Sequence, residues 1–169
     1  MRDLQDKTEV YRFKAWVVIL VPLAALSLQA YLPLWLPGAA FLDLAMLATI
    51  YFACNRRNQI VGLLLGAAIG LAQDCLGSGP IGIFGIVKTV IGYLASSLGA
   101  RIDVENPLTR LILIFGFYYV HLGIFYLLQT VLLEKTVPAP SLNGLAVALL
   151  NAFAGVILFH LLDLLRERE

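Results

Sequence analysis

The chain has 169 residues, of which 60% are hydrophobic and 14% are charged, and its formal net charge is +1. The mean hydropathy of +0.87 excludes an ordinary soluble domain and indicates an integral membrane protein. The connections between the apolar runs are short, so we expect a single polytopic membrane domain over residues 1–169. Its surroundings are the lipid bilayer, and we expect no nucleic-acid partner.

Six segments approach or meet the roughly 20 apolar residues that are needed to cross a hydrocarbon core about 30 Å thick. They are too long and too uniformly apolar for barrel strands, which alternate in polarity. We therefore predict an all-α membrane protein with six transmembrane helices. The predicted spans are Ala15–Pro33, Gly38–Cys54, Ile60–Leu76, Ile81–Leu98, Leu111–Leu133 and Leu142–Leu162.

Lysine and arginine in the connections predict the orientation. With the N-terminus inside, ten basic residues fall on the cytoplasmic side and only Lys135 falls outside. We therefore predict that both termini are cytoplasmic, that Trp16 and Trp35 lie near opposite interfaces, and that residues 1–14 form an interfacial lead-in on the inner surface. The ten residues are Arg2, Lys7, Arg12, Lys14, Arg56, Arg57, Arg101, Arg110, Arg166 and Arg168.

Glycines recur along the third span and on two later spans. Three of those on the third span are spaced four residues apart, and such stripes let helix backbones approach closely. Tight packing within the bundle is the favoured interpretation, and a narrow cavity lined by backbone is the alternative. The glycines expected to pack helices are Gly62, Gly66, Gly70, Gly82, Gly92 and Gly155.

The connection between the third and fourth spans contains the sequence DCLGSGPIG, a strong turn signal in which Pro80 suits the first turn of the next helix. Asp74 lies two residues before the end of the third span. Its carboxylate can therefore reach the interface or accept hydrogen bonds from amide groups of the turn. We interpret Asp74 as a structural residue that caps this turn rather than as a catalytic acid.

Lys88 lies near the middle of the fourth span, where an unpaired charge costs at least about 2.5 kcal/mol on insertion scales. Counting at about 1.5 Å per residue from the nearest turns places Asp43 at a similar depth. Asp74 lies nearer the surface, within reach of a lysine that stretches outward. We predict a buried ion pair of Lys88 with Asp43 or, alternatively, with Asp74.

Further polar residues occur at similar depth. His121 lies near the middle of the fifth span and Asn151 near the middle of the sixth, so a polar core could join them to Asp43 and Lys88. Satisfied hydrogen bonds between helices are the favoured interpretation, and a ligand pocket or proton path is the alternative. Nearer the cytoplasmic end of the sixth span, His160 and Asp163 are expected to form an interfacial pair.

Enzyme signatures are missing from the sequence, including H-E-x-x-H, G-x-S-x-G and a phosphate-binding loop. We expect no catalytic residue, no cofactor-binding residue, no metal ligand and no enzymatic activity.

Four stretches follow one another in the sequence: the run FLDLAMLATIY at Phe41–Tyr51, the charged turn at Arg56 and Arg57, the block GLLLGAAIGLAQDCLGSGPIGIFGI, and the later IGYL. Together they resemble the MreD family of rod shape-determining bacterial membrane proteins. The most specific part runs from Gly66 to Gly82, and outside Phe41–Leu98 the resemblance rests on hydropathy. It implies a fold similar to the six-helix substrate-binding subunits of energy-coupling-factor transporters, and a location in the bacterial inner membrane.

The resemblance also implies a non-enzymatic scaffold or regulatory subunit of the cell-elongation machinery, which maintains rod shape and lateral peptidoglycan synthesis. MreC is the expected direct partner, and MreB, RodA and a class B penicillin-binding protein are indirect ones. In this hypothesis, lipid-facing grooves opened by small residues receive the transmembrane helix of MreC. The rival hypothesis is a small-molecule or lipid-binding subunit of a membrane transporter, with a cavity near Asp43, Asp74 and Lys88.

Overall fold

The computed structural model describes residues 15–56, 58–134 and 143–165, and within these ranges the chain is helical without strands. The predicted lead-in at residues 1–14 and the basic residues Arg57, Lys135, Arg166 and Arg168 lie outside the described residues. The described part of the chain contains the α-helices α1 (Ala15–Tyr31), α2 (Leu44–Arg56), α3 (Gln59–Leu76), α4 (Ile83–Gly99), α5 (Pro107–Leu127) and α6 (Asn143–Asp163).

Among the described residues, four helical segments are long and apolar enough to cross a membrane, namely Trp16–Leu34, Gln59–Leu76, Pro107–Leu132 and Gly144–Asp163. The third of these is longer than α5 because a π turn at Leu128–Leu132 continues it. Helix α4 is apolar but has 17 residues, and α2 has 13. The described chain therefore contains four helices of membrane-spanning length together with two shorter ones.

The second predicted span is the one that the structure changes most. Residues Pro37–Phe41 form a 3₁₀ turn and α2 begins only at Leu44, so the helix does not start at Gly38 as predicted. Asp43 supplies the reason, because its side chain accepts a hydrogen bond from the Met46 amide and so caps a new helix. Within one continuous apolar run, the capping aspartate thus separates α2 from the 3₁₀ turn that Pro37 begins.

Asparagine side chains begin two other helices. Asn58 accepts hydrogen bonds from the amides of Ile60 and Val61 at the start of α3. Asn106 accepts one from the Leu108 amide, and Pro107 occupies the first position of α5. The prediction that the fifth span begins at Leu111 is therefore wrong by one turn, because this cap and proline start the helix earlier.

Helix α2 lies at the centre of the bundle and is buried on all sides from Ala45 to Asn55. It packs against α1, α3, α4 and α6, while α5 packs against α4 and α6. Its large side chains fill the core, with the Tyr51 ring edge-on to Phe52 and Phe159. In a membrane such contacts stabilise through close packing, since lipid is as apolar as the core.

Helices α3 and α4 form a tight antiparallel hairpin. A Cβ atom added at Gly66 would collide with the carbonyl oxygen of Lys88, and one at Gly70 with that of Phe84. A Cβ on Gly62 would lie 2.5 Å from the carbonyl oxygen of Gly92. The glycine stripe of α3 thus brings two backbones into direct contact, which leaves no room for any larger residue.

Candidate functional site

The break before α2 creates the principal polar site of the described chain. Asp43 lies at this break with its carboxylate largely buried. One carboxylate oxygen, Oδ1, accepts the Met46 amide at 2.8 Å, and the other, Oδ2, faces the bundle interior. A helix that begins inside the bundle exposes unpaired amide groups there, and Asp43 satisfies part of this need. The position of the carboxylate is therefore fixed by the start of α2.

Lys88 of α4 is fully buried, and its Nζ lies 3.0 Å from Oδ2 of Asp43. Its ammonium also lies 5.1 Å from the centre of the Phe84 ring, within range of a cation–π contact. Of the two acids considered as partners from the sequence, Asp43 is the one that pairs with Lys88. The pair places two opposite charges together at a depth where either alone would be costly.

His121 of α5 extends this pair. Its Nε2 lies 3.6 Å from Oδ2 of Asp43, which is beyond hydrogen-bond distance but close enough for electrostatic contact. The imidazole ring is parallel to the Phe125 ring, which in turn stacks on Phe84. Its other nitrogen, Nδ1, is buried without a hydrogen-bond partner among the described residues. The histidine is thus enclosed by aromatic rings on one side and by the ion pair on another.

Asn151 of α6 completes the cluster from the opposite wall. Its side-chain oxygen accepts the backbone N–H of Asp43 at 2.9 Å, and its amide donates to the carbonyl oxygens of Phe41 at 2.8 Å and Val147 at 2.9 Å. Asn151 therefore supplies hydrogen bonds to backbone groups that the interrupted second span leaves without helical partners. This is how irregular backbone is tolerated at membrane depth.

The structure thus brings Asp43, Lys88, His121 and Asn151 into one cluster, which we call the Asp43 cluster. Its charges are matched, and both carboxylate oxygens of Asp43 are occupied. Its chemistry is that of an interhelical connection between α2, α4, α5 and α6. Within the described residues, no group of three or more His, Cys, Asp or Glu side chains is placed to hold a metal ion.

Asp74 belongs to a separate site at the end of α3. Its Oδ2 accepts the amides of Gly82 and Gly85, each at 2.9 Å, and its Oδ1 accepts that of Phe84 at 3.1 Å. These amides open helix α4, so Asp74 caps α4 from the preceding helix. A small cavity of about 110 Å³ adjoins it, walled in part by Phe125 and Gln129.

The glycines divide into two groups. Gly62, Gly66, Gly70 and Gly92 lie between the backbones of α3 and α4, and a Cβ on Gly155 would meet side chains of α2 and α5. Gly82 does not pack helices as predicted. Apart from its two chain neighbours, no described residue has an atom within 4 Å of the position its Cβ would take, and its φ of +104° marks a backbone conformation that favours glycine.

An open groove runs between α4 and α5. Its volume is about 630 Å³ and no charged residue lines it. Gly116 is one of its lining residues, and outside the backbone of its own helix no described residue has an atom within 4 Å of the position a Cβ would take there. The lining residues are Leu94, Ser97, Leu98, Ile102, Thr109, Ile112, Leu113, Gly116, Phe117 and Val120.

The sequence interpretation missed an ion pair at the other end of the bundle. Arg110 was expected in a connection, yet it lies buried in α5, and its guanidinium contacts the Asp163 carboxylate at 2.6 Å and the Val104 carbonyl oxygen at 2.6 Å. Asp163, expected to pair with His160, also accepts the Tyr51 hydroxyl at 3.0 Å. The Asn106 and Pro107 start signal would have placed Arg110 inside the helix.

Comparisons of the chain with protein-family models, with curated proteins and with solved structures give no match. No activity, ligand or partner is therefore transferred to the chain by similarity. What the protein does has to be inferred from its own geometry, which combines a charge-matched polar cluster inside the bundle with an open, mainly apolar groove on its surface.

Proposed function

We propose that the protein is a non-enzymatic scaffold or regulatory subunit of the bacterial cell-elongation machinery, with MreC as its direct partner. It spans the inner membrane six times with both termini in the cytoplasm. MreB, RodA and a class B penicillin-binding protein are reached through MreC. The MreD-like residues between Phe41 and Leu98 suggest this assignment, and the structural argument for it comes from the Asp43 cluster and the groove.

The observation that carries the proposal is the pairing of the charges within the Asp43 cluster. Lys88 pairs with Asp43, Asn151 serves backbone groups, and the Asp43 carboxylate is occupied on both oxygens. A site that binds polar ligands needs convergent groups that remain available. The intramembrane charges instead connect helices to one another, which is the role expected of a structural subunit.

The groove between α4 and α5 is the surface that we assign to the partner's transmembrane helix. Its lining is apolar except for Ser97 and Thr109, which suits contact with a membrane-embedded helix. The glycines of α3 are already in contact with α4, whereas Gly116 has open space above it. A glycine inside a helix costs up to about 1 kcal/mol relative to alanine, and no contact within the described chain requires one at this position.

Pull-down of MreC from detergent extracts tests the proposal. We expect the unaltered protein to retain MreC, and Gly116→Leu, which fills the groove, to reduce recovery several-fold. Gly123→Leu is the matched control, since Gly123 also has open space on α5 but does not line the groove. Absence of MreC from every pull-down of folded protein would refute the proposed function.

A ligand-binding subunit of a membrane transporter is the second candidate function. Two observations favour it, namely the Nδ1 of His121, which has no hydrogen-bond partner among the described residues, and the small cavity beside Asp74. Ligand-dependent thermal stabilisation against a panel of lipids and vitamins tests this alternative. A shift in melting temperature that His121→Phe abolishes would support it, and the lack of any shift would remove its support.

A further inference from the structure

The connection between α1 and α2 has a surface unlike that of an ordinary loop. From Leu32 to Leu42 its sequence is LPLWLPGAAFL, without a charged or amide side chain. Leu34 is 77% exposed and Trp35 is 84% exposed, and Leu36 and Phe41 are also exposed. By contrast, the connection between α4 and α5 carries Arg101, Asp103 and Glu105. A contiguous exposed apolar surface marks a place of interaction.

The backbone of this segment satisfies much of its own hydrogen bonding. The amides of Trp35 and Leu36 donate to the carbonyl oxygen of Leu32, and those of Ala39 and Leu42 donate to the carbonyl oxygens of Leu36 and Ala39. Pro33 and Pro37 have no N–H to satisfy, and the Phe41 carbonyl accepts the Asn151 amide. A segment with few unpaired backbone groups can leave bulk water at low cost.

Depth within the bundle places the segment at the membrane boundary. Phe41 is hydrogen-bonded to Asn151, which lies eight residues, or about 12 Å, from the start of α6. The 13 residues of α2 cover only about 20 Å of a hydrocarbon core about 30 Å thick. At about 2 Å per residue in 3₁₀ turns, Trp35 lies up to about 12 Å beyond Phe41, level with the start of α6 at Asn143.

We propose that Leu32–Phe41 lies in the boundary between lipid headgroups and acyl chains, and that phospholipids of one leaflet are the ligand of its apolar surface. Trp35 sits at headgroup level, where tryptophan is enriched in membrane proteins. The segment completes the membrane thickness that α2 leaves uncovered and closes the bundle above the Asp43 cluster. This inference is independent of the proposed function.

Tryptophan fluorescence in proteoliposomes tests the proposal directly. The chain has two tryptophans, so Trp16→Phe leaves Trp35 as the reporter, and Trp16→Leu provides a second background. The protein is reconstituted into phosphatidylcholine vesicles that carry bromine at a shallow or a deep acyl position. Iodide, included both inside and outside the vesicles, measures contact with water at either face of the membrane. The control is Glu105→Trp in a background without other tryptophans, which reports on the charged connection.

We expect shallow bromines to quench Trp35 strongly and deep bromines to quench it weakly. Iodide should quench Trp35 several-fold less than the Glu105→Trp control. Equal iodide quenching at both positions would overturn the proposal, because it would place the segment in water. Protection of Trp35 from iodide and bromine at every protein-to-lipid ratio would also overturn it, because a second copy of the chain would then cover the surface.

Discussion

The side chain of Asn151 accepts a hydrogen bond from the backbone N–H of Asp43, and that same aspartate accepts one from Lys88. Residues of three helices are thereby fixed at the point where the second predicted span is interrupted. The interruption of the second predicted span and the burial of the Lys88 charge depend on each other. The start of α2 positions a carboxylate inside the bundle, and that carboxylate allows a lysine of α4 to lie at the same depth.

Removing the charge of Lys88 while leaving Asp43 in place should strongly destabilise the protein. Breaking a buried ion pair from one side costs about 3–5 kcal/mol, because the remaining charge is left uncompensated. We expect Lys88→Met to lower the free energy of unfolding by an amount of this order in detergent. Asp43→Asn retains a capping side chain but leaves Lys88 unpaired, so it should also destabilise.

The double variant Lys88→Met/Asp43→Asn distinguishes pairing from general damage. It contains neither charge, so it should be more stable than either single variant, and a double-mutant cycle should give a favourable coupling energy for the pair. Thermal and denaturant unfolding followed by circular dichroism measure all four proteins. Unchanged stability of Lys88→Met, or strictly additive losses, would contradict the ion pair.

Asn151→Leu should destabilise the protein although leucine is apolar and similar in size. The change removes the partner of the Asp43 amide and of the Phe41 carbonyl, and each buried unpaired group costs about 1–3 kcal/mol. Phe153→Leu, at an exposed position on the same helix, is the control and should be nearly neutral. Equal stability of the two variants would show that Asn151 does not support the interruption before α2.

Glycine substitutions should affect stability differently at positions that contact another helix of the chain and at positions on the open surface. Gly66→Ala would push a methyl group into the Lys88 carbonyl and should cost about 1–3 kcal/mol as overpacking forces α3 and α4 apart. Gly116→Ala meets no atom and should be neutral or stabilise by up to about 1 kcal/mol through helix propensity. Melting temperatures of the purified variants provide the measurement, and the reverse order would contradict the close packing of α3 on α4.

Hydropathy and spacing predicted much of this arrangement but not the interruption in the second span. The run from Gly38 to Cys54 is continuously apolar, so hydropathy carries no sign that Pro37–Phe41 is a 3₁₀ turn. The local signal was Asp43 followed by an apolar run, which is a helix start. Counting residues from the turns gave Asp43 and Lys88 a similar depth, and Asp43 was therefore one of the two acids proposed as the partner of Lys88. This prediction did not depend on whether the backbone between Gly38 and Asp43 is α-helical.

Gly82 and Arg110 show where pattern reasoning failed. Gly82 continues the spacing of the α3 glycines in sequence but lies beyond the turn, where the backbone has changed direction and the helical face no longer applies. Arg110 was assigned to a connection because it is a charged residue directly before the apolar run that begins at Leu111. Its helix, however, begins three residues before Arg110, at Pro107. Partners of such residues, here Asp163 of α6, depend on tertiary packing that spacing alone does not contain.

Asp74 gives a final prediction about the hairpin of α3 and α4. Its carboxylate accepts three amide hydrogen bonds at the start of α4, so Asp74→Ala should lower the free energy of unfolding by about 1–2 kcal/mol, the upper range for loss of a cap. Asp74→Asn retains one acceptor oxygen and should lower the free energy of unfolding by less.

Hydrogen exchange of the Phe84 and Gly85 amides, followed by mass spectrometry of the α4 peptide, measures the local effect. Faster exchange confined to the first turn of α4 is expected for Asp74→Ala, because the rest of that helix still packs on the glycines of α3. Exchange as slow as in the unaltered protein would show that the turn, rather than Asp74, holds the start of α4.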